Sequence, residues 1–427
     1  MVNIVLLRRT ALFLSFLVSG GWLLFPRPPI TVLIVVVCLV AGLLKKGLDR
    51  RILPVVLLSL LVVLEMVFRP SGLRIESLAS KITLFLAAIL LVNLYIGEER
   101  TTLARDLYPM LIFMALQALA TFAIANTVPG LFATTVVEDV PQYHILYILH
   151  YHITPLTALY GITKDPFIRP DGFFWEPGIY QMYLNLLLYL ALFVFKNGKH
   201  ALLALAAVVT TWSTTGMAIA VILLTVYFGR TLGSVGVQQK LTKMALRRLV
   251  SVAVIGVIAA VPVGYVAYNN VVAKFSGSAQ GSALVRGQDL YIGINVAIAN
   301  PLIGIGFDAD QYLDAARRLE YGNPILAASA TFKRTSSSGI LYLLFSMGLP
   351  LAIPFLIGLA RPRIFPHPAL AGTVVFLTQI SEPFSLSPFI LLLIFSGLRS
   401  GWQLRQSVPK IAAGAQNPVK SGGIIER

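Results

Sequence analysis

The segment 169–177, Arg-Pro-Asp-Gly-Phe-Phe-Trp-Glu-Pro, combines a cation, a carboxyl group and aromatic rings within nine residues. Arg169 is a fixed cation whose planar fork of donors fits phosphate oxygens. Glu176 is a carboxyl group that can take a proton from a sugar hydroxyl. Gly172 and Trp175 lie between them, and an aromatic ring there can stack on a sugar. The alternative interpretation is an aromatic belt at a membrane interface, with Glu176 capping the next helix.

A second candidate begins at Arg286, which opens an amphipathic stretch over 286–299. The segment 300–307, Asn-Pro-Leu-Ile-Gly-Ile-Gly-Phe, follows it. Its two glycines allow a tight turn in which the backbone approaches a ligand. The alternative is a helix in a loop, ended by an ordinary Pro/Gly turn.

A third candidate is the polar run that contains Lys333, Arg334, Ser337 and Ser338, placed just before an apolar segment. Two cations and several hydroxyl groups at that position could bind a pyrophosphate. A helix N-cap beside a solvated charge pair explains the same pattern equally well.

Four weaker patterns favour structural explanations. Asp308 and Asp310 resemble the D-x-D of metal-dependent sugar transferases, but an acidic cap at a helix start is simpler. The three histidines of the aromatic stretch Tyr143–Tyr160 suggest an interfacial helix, because no cysteine or close carboxylate completes a zinc site. Glu65, inside an apolar run, is either functional or the partner of a nearby arginine. The segment 381–383 is interpreted as a short turn without a role.

The elements that must position these residues are membrane helices. Of the 427 residues, 57% are hydrophobic and 12% are charged, more apolar surface than a soluble domain can bury. The apolar residues form long runs, and backbone groups in lipid must be hydrogen-bonded internally, so the runs predict helices. Twelve spans are predicted, at about 10–25, 30–44, 52–68, 81–96, 107–126, 178–195, 200–213, 215–228, 249–267, 338–359, 368–380 and 384–398.

The formal charge of +16 is explained by orientation in the membrane, so no nucleic-acid partner is expected. With the N-terminus inside, 22 of the 34 Lys and Arg residues, including Arg8 and Arg9, fall on the cytoplasmic side. We therefore predict one transmembrane domain over 1–398 with large outside loops at about 127–177 and 268–337. A cytoplasmic, disordered tail is predicted over 399–427.

The candidate residues fall in the two outside loops, where they meet the spans. Nucleotides are absent outside the cytoplasmic membrane, and the inside loops carry no phosphate-binding glycine motif. A substrate used there must already be activated or carried on a lipid.

Taken together, the motifs resemble those of the O-antigen ligase and O-antigen polymerase (Wzy-type) superfamily. Members often carry R-x-x-G-x-F-x-E-P at the end of the first large loop, matched here from Arg169 to Pro177. An arginine, a helix and an hPhhGhG turn (h, hydrophobic) often follow in the second loop, matched from Arg286 to Phe307. The family's H-[NSQ]-x9-G element is matched by Ser338 and Gly348, but Ser337 replaces the histidine.

The resemblance implies an all-α, polytopic, GT-C-like glycosyltransferase in the bacterial cytoplasmic membrane, with both termini cytoplasmic. Its donor would be a glycan on undecaprenyl diphosphate, used at the outer face. A chain-length regulator and a flippase of the same pathway would be partners. Arg169, Arg286 and Arg334 would meet the charge of the leaving diphosphate, so no metal or other cofactor is expected.

The absence of the family's histidine favours a polymerase of oligosaccharide repeat units over a ligase that transfers glycan to lipid A core. A flippase or transporter without chemistry is the alternative from another class. Transporters usually carry repeats and ionisable residues near the membrane midplane, whereas the charges here gather in the outside loops.

Overall fold

The structure is a computed structural model. It describes residues 3–20, 27–45, 47–68, 75–135, 143–154, 167–174, 176–236, 280–320, 336–382, 384 and 386–398. The predicted span at 249–267 and the predicted tail at 399–427 lie outside these residues, as do Trp175, Lys333 and Arg334.

Helices account for most of the described residues. They are α1 (Ile4–Ser19), α2 (Arg27–Leu44), α3 (Leu53–Phe68), α4 (Ile75–Tyr95), α5 (Arg100–Thr127), α6 (Pro177–Tyr189), α7 (Gly198–Thr210), α8 (Thr214–Gly236), α9 (Gln280–Ala299), α10 (Ala309–Glu320), α11 (Gly339–Ala360), α12 (Pro368–Ser381) and α13 (Pro388–Leu398). Helix α6 continues through a wider turn to Val194.

Seven of the described helical segments are long and apolar enough to cross a membrane. They are Arg27–Leu44, Arg50–Phe68, Ile75–Tyr95, Arg100–Thr127, Pro177–Val194, Thr214–Thr231 and Gly339–Ala360. Helices α7, α12 and α13 are apolar but shorter. The chain is thus a mostly helical membrane protein, as the sequence predicted, while the number of twelve spans stays a prediction.

The first helix differs from its predicted bounds of 10–25. It begins at Ile4, where the side chain of Asn3 accepts a hydrogen bond from the backbone N–H of Val5. Arg8 and Arg9 therefore lie inside the helix and not in a loop. Their charges are tolerated there because both contact Asp106, at 2.6 Å and 3.0 Å.

The first long loop contains a small sheet that the sequence analysis did not predict. Strands β1 (Ala133–Thr135), β2 (Tyr143–Leu146), β3 (Leu149–Thr154) and β4 (Phe167–Pro170) pair antiparallel in that order. The predicted interfacial helix over Tyr143–Tyr160 is therefore wrong for Tyr143–Thr154. Aromatic and β-branched residues favour strands, and Tyr147, at a positive φ of 53°, turns β2 into β3.

Helix α6 is the centre of the bundle. All its residues from Pro177 to Tyr189 are buried, and it packs against α5, α7, α8 and α12. Its two amide side chains donate hydrogen bonds to neighbouring helices, while Oδ1 of Asn185 is buried without a partner among the described residues. Gln181 donates to the Thr378 hydroxyl of α12 at 3.2 Å, and Asn185 donates to the Gly216 carbonyl of α8 at 3.0 Å.

The bundle has two chemically different ends. At the first, the Asp106 end, the start of α1, the end of α4 and the start of α5 meet through Arg8, Asp106 and Glu98. At the opposite end, the Glu382 end, the start of α6 meets the turn after α12. The sheet and α9 belong to this second end, since β4 leads into α6 and Arg286 of α9 contacts Glu382. The candidate residues on the described long-loop elements thus gather at one end of the bundle.

Candidate functional site at the Glu382 end

The segment from β4 to α6 places Arg169 and Glu176. After β4 the chain turns sharply, with the N–H of Phe174 bonded to the carbonyl of Asp171 at 3.0 Å. The Phe174 ring is fully buried and stacks on Tyr183 of α6, with centroids 5.0 Å apart. This anchor fixes the turn against the bundle, so that Arg169 before it and Glu176 after it both lie near the helix ends.

Gly172 makes that turn possible. Its φ is +64°, and a Cβ there would lie 2.6 Å from the ring of Tyr180. The sequence analysis proposed it as a substrate-binding residue. Its conformation and its burial against Tyr180 give it a structural role in the turn, and substrate binding by Gly172 stays a prediction.

Glu176 occupies the N-cap position of α6, but its side chain makes no capping hydrogen bond. Its carboxyl group instead lies close enough to Glu382 to interact with it electrostatically. Glu176 is therefore the N-cap residue of α6 by position, but its side chain does not cap the helix.

Glu382 is the residue that sequence reasoning missed. It follows the last residue of α12, is 2% exposed, and has no hydrogen-bond partner for Oε2 among the described residues. A Cβ on Gly178, in the first turn of α6, would overlap its Oε1. One signal in the sequence could have identified Glu382. It is a carboxyl group at the end of an apolar span, and a carboxyl group in an apolar span was the criterion that singled out Glu65.

The two arginines reach this carboxyl pair from different loops. Arg286 lies in α9, and its guanidinium nitrogen Nη2 is 3.7 Å from Oε1 of Glu382. Arg169 comes from β4 and donates from Nε to the carbonyl of Thr211, in the turn between α7 and α8, at 3.1 Å. Charge interactions also link Arg169 to Glu176, Glu382 and Arg286. The structure thus brings together Arg169, Glu176 and Arg286, the three residues proposed as catalytic.

Burial and neighbouring charges shift the pKa values of Glu382 and Arg169 in this cluster. Burial raises the pKa of Glu382 well above its usual range, and the neighbouring Glu176 carboxyl raises it further. Arg286 and Arg169 act in the opposite direction. Burial also lowers the pKa of Arg169, opposed by the two glutamates, but an arginine stays charged at physiological pH.

Ser337 and Ser338 hold the second loop against the bundle. The backbone N–H of Ser337 donates to Asp289 of α9 at 3.1 Å. Ser338 is the N-cap of α11, accepting from the N–H of Leu341 and donating to the carbonyl of Gln379, both at 3.4 Å. These contacts fit the capping alternative for Ser338. They also connect α9, which carries Arg286, with α12, which leads to Glu382.

The turn 300–307 docks into a break in α11. Gly348 has φ 71° and ψ 167°, so the helix is interrupted there and the carbonyls of Phe345 and Ser346 are released. The N–H groups of Ile305 and Gly306 donate to these carbonyls at 2.6 Å and 3.0 Å. The glycine turn at 300–307 and the helix break at Gly348 therefore pack against each other. This contact fixes the end of α9, which leads into the turn.

The remaining candidates have structural contacts. Asp308 precedes α10, and its carboxylate accepts from the N–H of Asp310 at 3.0 Å, as expected for a helix cap. His144 stacks on Tyr151, and His150 interacts with the carbonyl of Tyr147 at 2.9 Å. Among the described residues, no group of three His, Cys, Asp or Glu side chains could hold a metal ion.

We compared the chain with family models, curated proteins and solved structures, and nothing matched. The geometry of the site and the motifs of the sequence therefore carry the functional conclusion. Chemically, two fixed cations at a helix-end surface suit a polyanion, and the carboxyl groups of the buried Glu382 and the half-buried Glu176 beside them suit proton transfer.

Proposed function

We propose that the protein is a metal-independent glycosyltransferase that polymerises oligosaccharide repeat units carried on undecaprenyl diphosphate. The observation that supports this best is the convergence of Arg169 and Arg286 on the buried carboxyl group of Glu382 and the half-buried carboxyl group of Glu176. The order of the motifs, which resembles that of the O-antigen ligase and polymerase superfamily, gives the substrate class.

In this proposal the two arginines bind the diphosphate of the donor. A diphosphate leaving group develops charge as it departs, and two fixed cations at a partly dehydrated membrane edge stabilise that charge. The arginine fork grips two oxygens at once, which the point charge of a lysine does not. Lys333 and Arg334, which lie outside the described residues, stay proposed from the sequence alone as further diphosphate-binding cations.

The bond changes follow from this arrangement. The hydroxyl oxygen of the acceptor glycan forms a bond to the anomeric carbon of the donor, and its proton passes to a carboxylate, for which the sequence proposed Glu176. The bond from that carbon to the phosphate oxygen breaks, and its electron pair leaves with the lipid diphosphate.

This reaction belongs at the outer face of the bacterial cytoplasmic membrane, where lipid-linked repeat units are presented. In the proposed orientation the Glu382 end faces outward and the Asp106 end, with Arg8, Arg9 and Lys45, faces the cytoplasm. The clustering of basic residues at the Asp106 end supports that orientation.

The test uses purified protein and the lipid-linked repeat unit extracted from cells that lack this gene. Wild-type protein should convert it to polymer, and Arg169→Ala and Arg286→Ala should each lower the rate on the order of 100-fold. Lysine at either position should recover only part of the rate.

Arg317→Ala is the matched control, because Arg317 lies in α10 of the same loop, is 62% exposed and pairs only with Asp314 among the contacts found. It should keep the wild-type rate. Normal polymer from Arg286→Ala at normal protein level would remove that residue from the diphosphate site. If deletion of the gene left full-length polymer on the lipid carrier, the protein would be a ligase instead.

A further inference from the structure

Glu382 stands between the two halves of the site. It contacts Arg286 of the second loop, interacts with Glu176 and Arg169 of the first, and lies against Gly178 at the start of α6. Its Oε2 is buried without a hydrogen-bond partner among the described residues. A buried carboxyl oxygen without a partner costs free energy, and a catalytic role is one reason for a native protein to keep it.

The carboxyl group of Glu176, at the start of α6, acts on the neighbouring carboxyl group of Glu382. Two neighbouring carboxyl groups away from water repel each other when both are ionised, so the charge of Glu176 raises the pKa of Glu382. The contact of Glu382 with Arg286, at 3.7 Å, is longer than a hydrogen bond and provides only partial charge compensation.

Arg286 is also the more accessible member of its ion pair. Its side chain is 36% exposed, whereas that of Glu382 is 3% exposed, so an incoming anion meets the arginine first. A diphosphate that binds Arg286 competes with Glu382 for the same cation. When the donor binds Arg286, the negative charge of Glu382 therefore loses part of the stabilisation that this cation gave it. A buried carboxylate with less stabilisation from a nearby cation is a stronger base.

We infer that Glu382, beside Glu176, is the group that takes the proton from the acceptor hydroxyl, and that donor binding to Arg286 activates it. This inference rests on the proposed function. As the acceptor oxygen bonds to the anomeric carbon, its proton moves to a carboxylate oxygen of Glu382. The electron pair of the broken carbon–oxygen bond leaves on the diphosphate, held by Arg286 and Arg169.

The sign of the pH dependence follows from the groups that face Glu382, namely Glu176, Arg169 and Arg286. A base must be deprotonated, so the rate should rise with pH through the raised pKa of Glu382. The negative charge of Glu176 contributes to that elevation. Glu176→Gln should therefore move the acidic limb of the residual activity to lower pH.

The experiment separates donor binding from turnover. Binding is measured with undecaprenyl diphosphate in detergent micelles, and turnover with the extracted lipid-linked repeat unit. Glu382→Gln removes the competitor for Arg286, so it should bind undecaprenyl diphosphate as tightly as wild type or more tightly. Its polymerisation rate should fall about 100-fold or more, the usual contribution of a general base. Glu382→Asp should restore part of the rate.

Glu76→Gln is the control, because Glu76 is an exposed acid in the first turn of α4, at the same end of the bundle. It should leave both readouts unchanged. The inference is overturned if Glu382→Gln stays within a few-fold of the wild-type rate, or if its rate falls only in proportion to weaker binding. A wild-type protein that neither binds undecaprenyl diphosphate nor makes polymer would instead refute the proposed function.

Discussion

Replacing Gly348 with alanine tests whether the break in α11 is the joint that fixes the second loop. Gly348 has φ 71° and ψ 167°, a conformation that is essentially restricted to glycine. A Cβ there would lie 2.5 Å from the carbonyl oxygen of Leu302 and 2.6 Å from its carbonyl carbon. Because these are backbone atoms of Leu302, a change of side-chain rotamer cannot relieve the overlap.

The expected loss combines two effects. The unfavourable backbone conformation costs about 1–3 kcal/mol for a residue with a side chain. Relieving the overlap separates the turn from α11 and weakens hydrogen bonds such as that from Leu349 N–H to the Pro301 carbonyl, at 2.7 Å. Each such bond contributes about 0.5–1.5 kcal/mol net. Gly348→Ala should therefore lower the free energy of unfolding by about 2–5 kcal/mol.

The measurement is the denaturant or thermal unfolding of purified protein in detergent, with Gly229→Ala as the matched control. Gly229 lies in α8, is exposed, and has no atom within 4 Å of an added Cβ. Alanine there should be neutral or stabilising by up to about 1 kcal/mol. Equal stability of Gly348→Ala and wild type would refute the reasoning, as would an equal loss in both variants.

Three further outcomes are expected. Asp106→Asn should destabilise the protein by about 3–5 kcal/mol in the same unfolding assay, because Arg8 and Arg9 lose the buried carboxylate that they contact at 2.6 Å and 3.0 Å. Asp314→Asn on the exposed surface of α10 should change little. Reporter fusions after positions 150 and 300 should be active outside and those after positions 50, 240 and 405 inside, and an inside signal at 300 would place the site on the wrong side. Polymerisation should continue in excess chelator, and a loss that magnesium or manganese restores would return Asp308 to consideration as a metal ligand.

The helices were predictable because the solvent imposes them. Lipid forces an apolar run to satisfy its backbone internally, so the run 52–68 predicted α3, found at Leu53–Phe68. That constraint does not extend to the loops. Between Tyr143 and Thr154, aromatic residues fit both a helix face and a strand, and pairing with β1 and β4 decided for the strand.

The site was predictable in part for a related reason. Arg169, Glu176 and Arg286 stood out because their types suit phosphate and proton chemistry. The only local sign of Glu382 was its place at the end of an apolar run, because its environment is created by α9 and β4, which precede it by about a hundred residues or more. In the same way, Gly304 and Gly348 belong to separate motifs in the sequence. Only the fold shows that the backbone around each glycine packs against the backbone around the other.

The enclosure of α6 has a consequence for biogenesis. Its amide groups find partners as late in the chain as Thr378, 197 residues after Gln181. Until α12 is synthesised, α6 must remain in the membrane or at the translocon with polar groups that lipid cannot solvate. We expect its insertion to be completed by assembly with its neighbours and not by its own hydrophobicity. The N-terminus of α6, and with it the junction of Glu176 and Glu382, would then be among the last parts of the protein to form.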